Sequence, residues 1–167
     1  MKQLFVIAFI LFGFTAIAQT EQEIYEQAFQ KVNCMLSETC GASFKEAVFT
    51  VENAYFSNQL NKDNFDRNIL FLSELSKQSL TSRELIYNLS DKQEVAKYAS
   101  LFSVITDTIP IQIDSTQIVK ILPFSYDFND IWGHSDWSNM FVTKLLDTRK
   151  GNCHSLPYLY KILADEI

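Results

Sequence analysis

The chain has 167 residues and a formal net charge of −6, its 14 basic residues scattered among 20 acids. Phosphate binding needs clustered Lys and Arg, so this acidity argues against nucleic acid and anionic membrane as partners. Four glycines, three prolines and an apolar fraction of 47% describe a globular, helix-favouring chain and not a disordered one.

Residues 1–18 read as a signal peptide. Met1-Lys2 gives the positive end, Leu4 to Ile17 an apolar run of fourteen residues, and Ala16-Ile17-Ala18 the small residues before a cut at Gln19. The run is short of the roughly 20 residues a bilayer-spanning helix needs. The expectation is an exported protein, in periplasm, at the cell surface or secreted, with no stable membrane insertion after cleavage. About 150 residues then remain, enough for a domain with its own core.

From Glu21 to about Glu38, Tyr25, Ala28, Phe29, Val32, Met35 and Leu36 form one helical stripe. Ser43 to Glu46 is a capping box, opening a second helix to about Leu60 with Phe44, Ala47, Val48, Val51, Ala54 and Tyr55 inward. Asp63 caps a third, with Phe65, Ile69, Leu72 and Leu75 on its face. Thr81-Ser82-Arg83-Glu84 opens a short helix to about Leu89, and Ser90 to Gln93 a fifth carrying Val95, Ala99 and Phe102. Residues 19–108 are therefore expected to be a helical bundle. Asn88-Leu89-Ser90 matches a glycosylation pattern, to which no role is assigned.

From residue 109 to 134 the composition changes. Ile111-Gln112-Ile113 alternates briefly, as a short strand or extended loop would, and Pro123 through Gly133 reads as an ordered aromatic loop. Ser135 or Asp136 caps a helix to about Asp147, with Trp137, Met140, Phe141 and Leu145 buried. Lys150-Gly151 breaks the chain before a last helix.

Three cysteines occur, Cys34, Cys40 and Cys153. A continuous helix would hold Cys34 and Cys40 roughly 9 Å apart by rise alone, too far for a bridge; a turn after about Glu38 would bring them together. If that candidate disulfide forms, Cys153 is the thiol left over. Pro157 is tolerated only in a first helical turn, so the last helix starts around Cys153 or Ser155. The sulfur then lies where unpaired amides and the helix dipole favour a thiolate. Cys153 shares a stripe with Leu156, so helix geometry alone fits a buried structural thiol at least as well.

From Tyr126-Asp127-Phe128 through Asp136-Trp137 and Met140 to Leu146, and on through Gly151-Asn152-Cys153-His154-Ser155-Leu156-Pro157-Tyr158-Leu159-Tyr160, the chain resembles bacterial transglutaminase-like proteins of the papain-like thiol superfamily. The resemblance covers residues 124–167. It implies an α+β core with a Cys-His-Asp or Cys-His-Asn triad. Cys153 would attack a carboxamide or peptide carbonyl, and the thioester would pass to water or an amine. The partners of that triad lie downstream in the family and have no counterpart here.

Gly151 is expected to permit the entry turn, Asn152 to position it, and the Cys153 N–H to serve as oxyanion donor. His154 adjoins Cys153 and on a helix points about 100° away, which disfavours direct proton abstraction; it reads as a solvated residue or the flank of a substrate groove. Trp137 is the other groove candidate, though it reads more readily as core. His134 lies in the aromatic loop before it. These groups are too few and too badly spaced for a closed zinc site, and nothing calls for a cofactor.

The expected architecture is mainly α, a helical domain over 19–108 followed over 109–167 by the first helices of an incomplete transglutaminase-like core. The expected function is that of a thiol amide or peptide hydrolase or acyl transferase in its complete form, inactive as this piece for want of the His and acid. An incomplete core would leave an apolar face of the last helix exposed. The alternative is a non-catalytic exported helical binding or scaffolding module with an inert Cys153. Neither reading fixes the oligomeric state.

Overall fold

A computed structural model describes residues 20–37, 39–82, 85–87 and 89–167. The expected leader, and Asn88 of the glycosylation pattern, lie outside these residues. The protein is mainly helical. Helices α1 (Glu21–Leu36), α2 (Phe44–Tyr55), α3 (Lys62–Ser82) and α4 (Lys92–Thr106) come first, followed by strands β1 (Ile109–Gln112), β2 (Ile118–Ile121) and β3 (Ser125–Tyr126). A 3-10 helix (Trp137–Met140), α5 (Val142–Thr148), β4 (Lys150–Gly151) and α6 (Ser155–Glu166) complete it. Among the described residues no helix is long and apolar enough to cross a membrane.

Local chemistry sets the helix ends. Thr20 and Glu23 form a reciprocal capping box on α1, and the Ser43 hydroxyl takes the Glu46 N–H on α2. At α3 the Asn61 side chain, rather than Asp63, accepts the Asn64 N–H at 2.9 Å. That helix runs on through Thr81 and Ser82, and Leu85 to Tyr87 are not helical, so no short helix reaches Leu89 among the described residues. The chain turns after α1 so that the Thr39 and Cys40 amides bond the Cys34 carbonyl, bringing Cys34 and Cys40 within 5.5 Å (Cα to Cα) in a disulfide. Cys153 is left as the free thiol.

One apolar core joins both parts of the chain. Val48 and Phe49 of α2, Phe65, Ile69 and Leu72 of α3, and Leu101 and Val104 of α4 meet Phe124, Val142 and Leu145. Leu159, Ile162 and Leu163 of α6 are sealed among them. The Phe65, Ile69, Leu72, Leu75 stripe is buried as expected. Three other stripes are met in part: Ala28, Met35, Val48 and Ala54 are buried as expected, but Tyr25, Phe29 and Leu36 of α1, Val51 and Tyr55 of α2 and Phe102 of α4 face solvent, while Ile24, Phe49, Glu52 and Leu101 turn in. The apolar face expected to be open on the last helix is not found. Its Leu156, Tyr158, Tyr160, Ala164 and Ile167 pack partly against the same core. The acids of its last turn are paired, Glu166 with Lys45 at 2.5 Å and Asp165 with Lys161.

β1 and β2 make an antiparallel hairpin in which Ile109 faces Ile121 and Gln112 faces Ile118. β3 and β4 pair in parallel, Ser125 with Lys150 and Tyr126 with Gly151. Parallel strands need a crossover, and here it is the aromatic loop, the 3-10 helix and α5. The helix expected over 135–147 is thus two pieces. Phe141 is extended between them (φ −97°, ψ 139°), and Trp137 opens the first piece with 54% exposure instead of entering the core.

Candidate functional site

Cys153 is delivered by the β4–α6 junction. Arg149 ends α5 in the left-handed region (φ 56°), its guanidinium donates to the Leu122 carbonyl at 2.7 Å, and it stacks over Phe124. Its own carbonyl accepts the Ser125 N–H, and the Gly151 carbonyl accepts that of Asp127, which locks β3 to β4. Gly151 is needed here for space and not, as expected, for a turn. A Cβ would collide with Ser155 Oγ and sit 2.9 Å from Leu145 Cδ1.

Asn152 is fully buried and acts as the true N-cap of α6. Its Oδ1 accepts the N–H groups of His154 at 2.9 Å and Ser155 at 3.2 Å, while its carbonyl accepts that of Leu156. Its Nδ2 donates to the Ile131 carbonyl at 3.1 Å and lies 2.9 Å from Met140 Sδ, tying the aromatic loop to the cysteine's turn. The Ser155 hydroxyl accepts the Asn152 N–H and donates to the Asn139 carbonyl, both at 3.1 Å. Every polar atom of the Asn152 side chain is thereby used in the fold. It positions the turn and does not reach a substrate.

Cys153 is the first residue of this capped turn and its side chain is exposed, not buried with Leu156. Half-buried Tyr126 lies across the strands from Gly151, two residues before Cys153. Burial first, and then its neighbour Cys153, push the Tyr126 phenol above the ordinary tyrosine range. Tyr126 packs on Phe128 with ring centroids 4.8 Å apart, and Phe128 is 76% exposed. With Trp132 and Trp137 also exposed, the loop beside the thiol carries an aromatic surface.

The two imidazoles are placed differently. His154 Nδ1 lies 2.9 Å from the Met140 carbonyl, which can only accept, so Nδ1 carries the proton. Its ring stacks on Tyr158 at 4.0 Å. His134 is exposed in the loop. Among the described residues no hydrogen bond joins either ring to Cys153.

Three carboxylates hold the elements around this turn. Glu52 of α2, 4% exposed, accepts the N–H groups of Val142 and Thr143, each at 2.8 Å, and so caps α5 from about ninety residues away in sequence. Burial pushes its carboxyl up, against those amides and the charge of His154. Asp130 gathers the loop by accepting the N–H groups of Ser135 and Asp136 and the Asn139 amide. Its burial opposes ionisation, yet these donors and the His134 N–H hold it below the ordinary carboxylate range. Asp136 is lowered to about 2 by Lys144, 2.5 Å away, and by Ser138. Among the described residues no group of His, Cys, Asp and Glu is arranged to hold a metal.

The site is thus Cys153 on a capped turn, with Asn152 and Gly151 holding that turn, Tyr126 paired with Gly151 across the strands, His154 next in the chain but turned to Met140, and Trp137 exposed on the 3-10 helix. Tyr126 and Glu52 were missed by sequence reading. The pairing of Tyr126 with Gly151 arises only when β3 meets β4, and Glu52 lies on a face that periodicity assigned to solvent. No protein-family model, no curated protein and no solved structure matches the chain.

Proposed function

We propose that Cys153 is an acyl-accepting nucleophile and that the chain belongs to the transglutaminase-like branch of the papain-like thiol proteins, as an amide or peptide hydrolase or acyl transferase. The carrying observation is the exposed thiol at the first position of a helix whose cap is built from buried Asn152 and Ser155. A buried structural cysteine would need none of this. In the proposed step the deprotonated sulfur forms a bond to the carbonyl carbon, the carbon–nitrogen bond breaks with its electron pair going to the amine, which takes a proton from water, and a thioester remains.

Export is part of the proposal, and the Cys34–Cys40 disulfide supports it, since such bonds persist in oxidising compartments. The substrate is proposed to be a protein or peptide amide approaching over the aromatic loop. His154 holds its proton toward Met140 and is not bonded to the sulfur, so the residues 20–167 by themselves are expected to acylate far faster than they turn over an amide.

The test is a burst experiment with p-nitrophenyl acetate, whose leaving group needs no protonation. One equivalent of nitrophenolate per chain, with a matching acetyl mass on Cys153 and no burst in Cys153→Ser, is expected. An absent burst in the wild type would remove the catalytic reading and leave the non-catalytic binding module.

A further inference from the structure

We propose that α1 is an interaction surface for a second copy of this chain, the two α1 helices packing antiparallel along Tyr25, Phe29, Val32 and Leu36 in a weak two-fold dimer. The inference stands apart from the nucleophile reading above and survives its failure.

α1 carries two apolar seams. Ile24, Ala28 and Met35 turn inward, and the first two meet Ala54 of α2 in a small cluster separate from the main core. One residue further round the helix run Tyr25, Phe29, Val32 and Leu36. They recur at the alternating four- and three-residue steps of a coiled-coil seam. This second seam is open to solvent, Phe29 being 65% and Leu36 79% exposed, with Tyr25 exposed and Val32 half-buried. Its far end is held firmly. Ser37 closes α1 with its N–H and hydroxyl both on the Asn33 carbonyl, and the Cys34–Cys40 disulfide ties the chain on either side of Leu36.

Charge selects the occupant's direction. A parallel pair of these helices would set Glu21 of each copy against Glu26 of the other, twice over. Turned antiparallel, the seam meets itself layer for layer, Tyr25 on Leu36 and Phe29 on Val32. Glu26 then lies opposite Asn33 of the second copy, and no like charges face each other. The opposite flank consists of Ala28 and Met35, which are already buried within each copy. A second helix therefore approaches over the Glu26 and Asn33 side. The four side chains offer roughly 400 Å² of apolar surface per copy, below what a permanent dimer buries. The association is thus reversible and concentration-dependent.

Sedimentation velocity of the native chain from about 1 to about 300 μM is expected to show monomer and dimer in exchange, with a Kd of about 10–100 μM. Phe29→Glu and Leu36→Lys put a charge into the seam at exposed positions. Each is expected to weaken association about tenfold or more, with the thermal midpoint unchanged. Asn33→Lys sets a cation opposite Glu26 at both ends of the pair and is expected to tighten it about three- to fivefold. Because it adds a contact, its result does not depend on how well the other two variants fold. A monomer throughout the range overturns the proposal and leaves the seam to a different protein. A dimer indifferent to both Phe29→Glu and Leu36→Lys overturns it too, since the contact then lies elsewhere. A dimer that those variants dissolve but Asn33→Lys does not tighten overturns the antiparallel register.

Discussion

At the residue scale the turn carrying Cys153 depends on two neighbours with no chemistry of their own. Asn152→Ala removes the acceptor of two helix N–H groups, strips the Ile131 carbonyl of its donor and leaves a small cavity. The expected cost is about 2–4 kcal/mol in a urea titration, with the Cys153 labelling rate falling alongside. Gly151→Ala drives a methyl into Ser155 Oγ and is expected to cost about 1–3 kcal/mol. Retained stability in Gly151→Ala would show that Ser155 can step aside. Sequence alone marked both positions, but gave Gly151 a conformational reason where the real one is contact with Leu145 and Ser155. It also grouped Cys153 with Leu156. A helical wheel holds inside a helix, and Cys153 stands in the first turn, ahead of Ser155, where α6 proper begins.

At the scale of elements, periodicity read which residues are helical more faithfully than which side turns inward. In α1, α2 and α4 aromatic and aliphatic residues occupy two adjacent arcs. The outward arc carries Phe29, Val51 and Phe102, and the choice between arcs is made by contacts distant in sequence. The Phe65 to Leu75 stripe was legible even though Leu70 and Phe71 of the same helix lie outside it and are exposed. The break at Phe141 was not, because its cause is Glu52, a carboxylate of another helix that takes the first N–H groups of α5. Glu52→Ala leaves those amides without their acceptor and is expected to cost about 2–4 kcal/mol by denaturant titration. Because burial raises the Glu52 carboxyl above 4.5, the folded chain keeps a proton that the unfolded chain gives up. Stability from this group is therefore fully present below 4.5 and falls as pH rises through the raised value. Glu52→Gln should flatten that descent in thermal melts across pH 4 to 8, and an unchanged slope would show that the carboxyl is not the source.

For the whole molecule, the opposite sign operates in acid. Asp136, lowered to about 2 from 3.8, contributes stability that is present above 3.8 and lost as pH falls toward 2. Acid should therefore loosen the loop that Lys144 and Asp136 clasp beside the thiol, and amide exchange over residues 130–140 is expected to quicken between pH 4 and 2 ahead of the core. The core itself is shared. Leu159 of α6 is sealed against side chains from the N-terminal helices, so Leu159→Ala is expected to lower global stability by about 2–5 kcal/mol rather than to loosen α6 alone. Composition and helical periodicity were enough to show a mainly helical chain. That both halves build one core was not legible, since no local pattern records which faces meet.

The most direct measurement is the iodoacetamide rate constant of Cys153 at pH 7 in the native chain against the same chain unfolded in urea, the Cys34–Cys40 disulfide kept intact in both. The leading end of a helix acting on an exposed sulfur predicts a native rate about tenfold or more above the unfolded one. A native rate equal to or below the unfolded rate would contradict a primed nucleophile at Cys153.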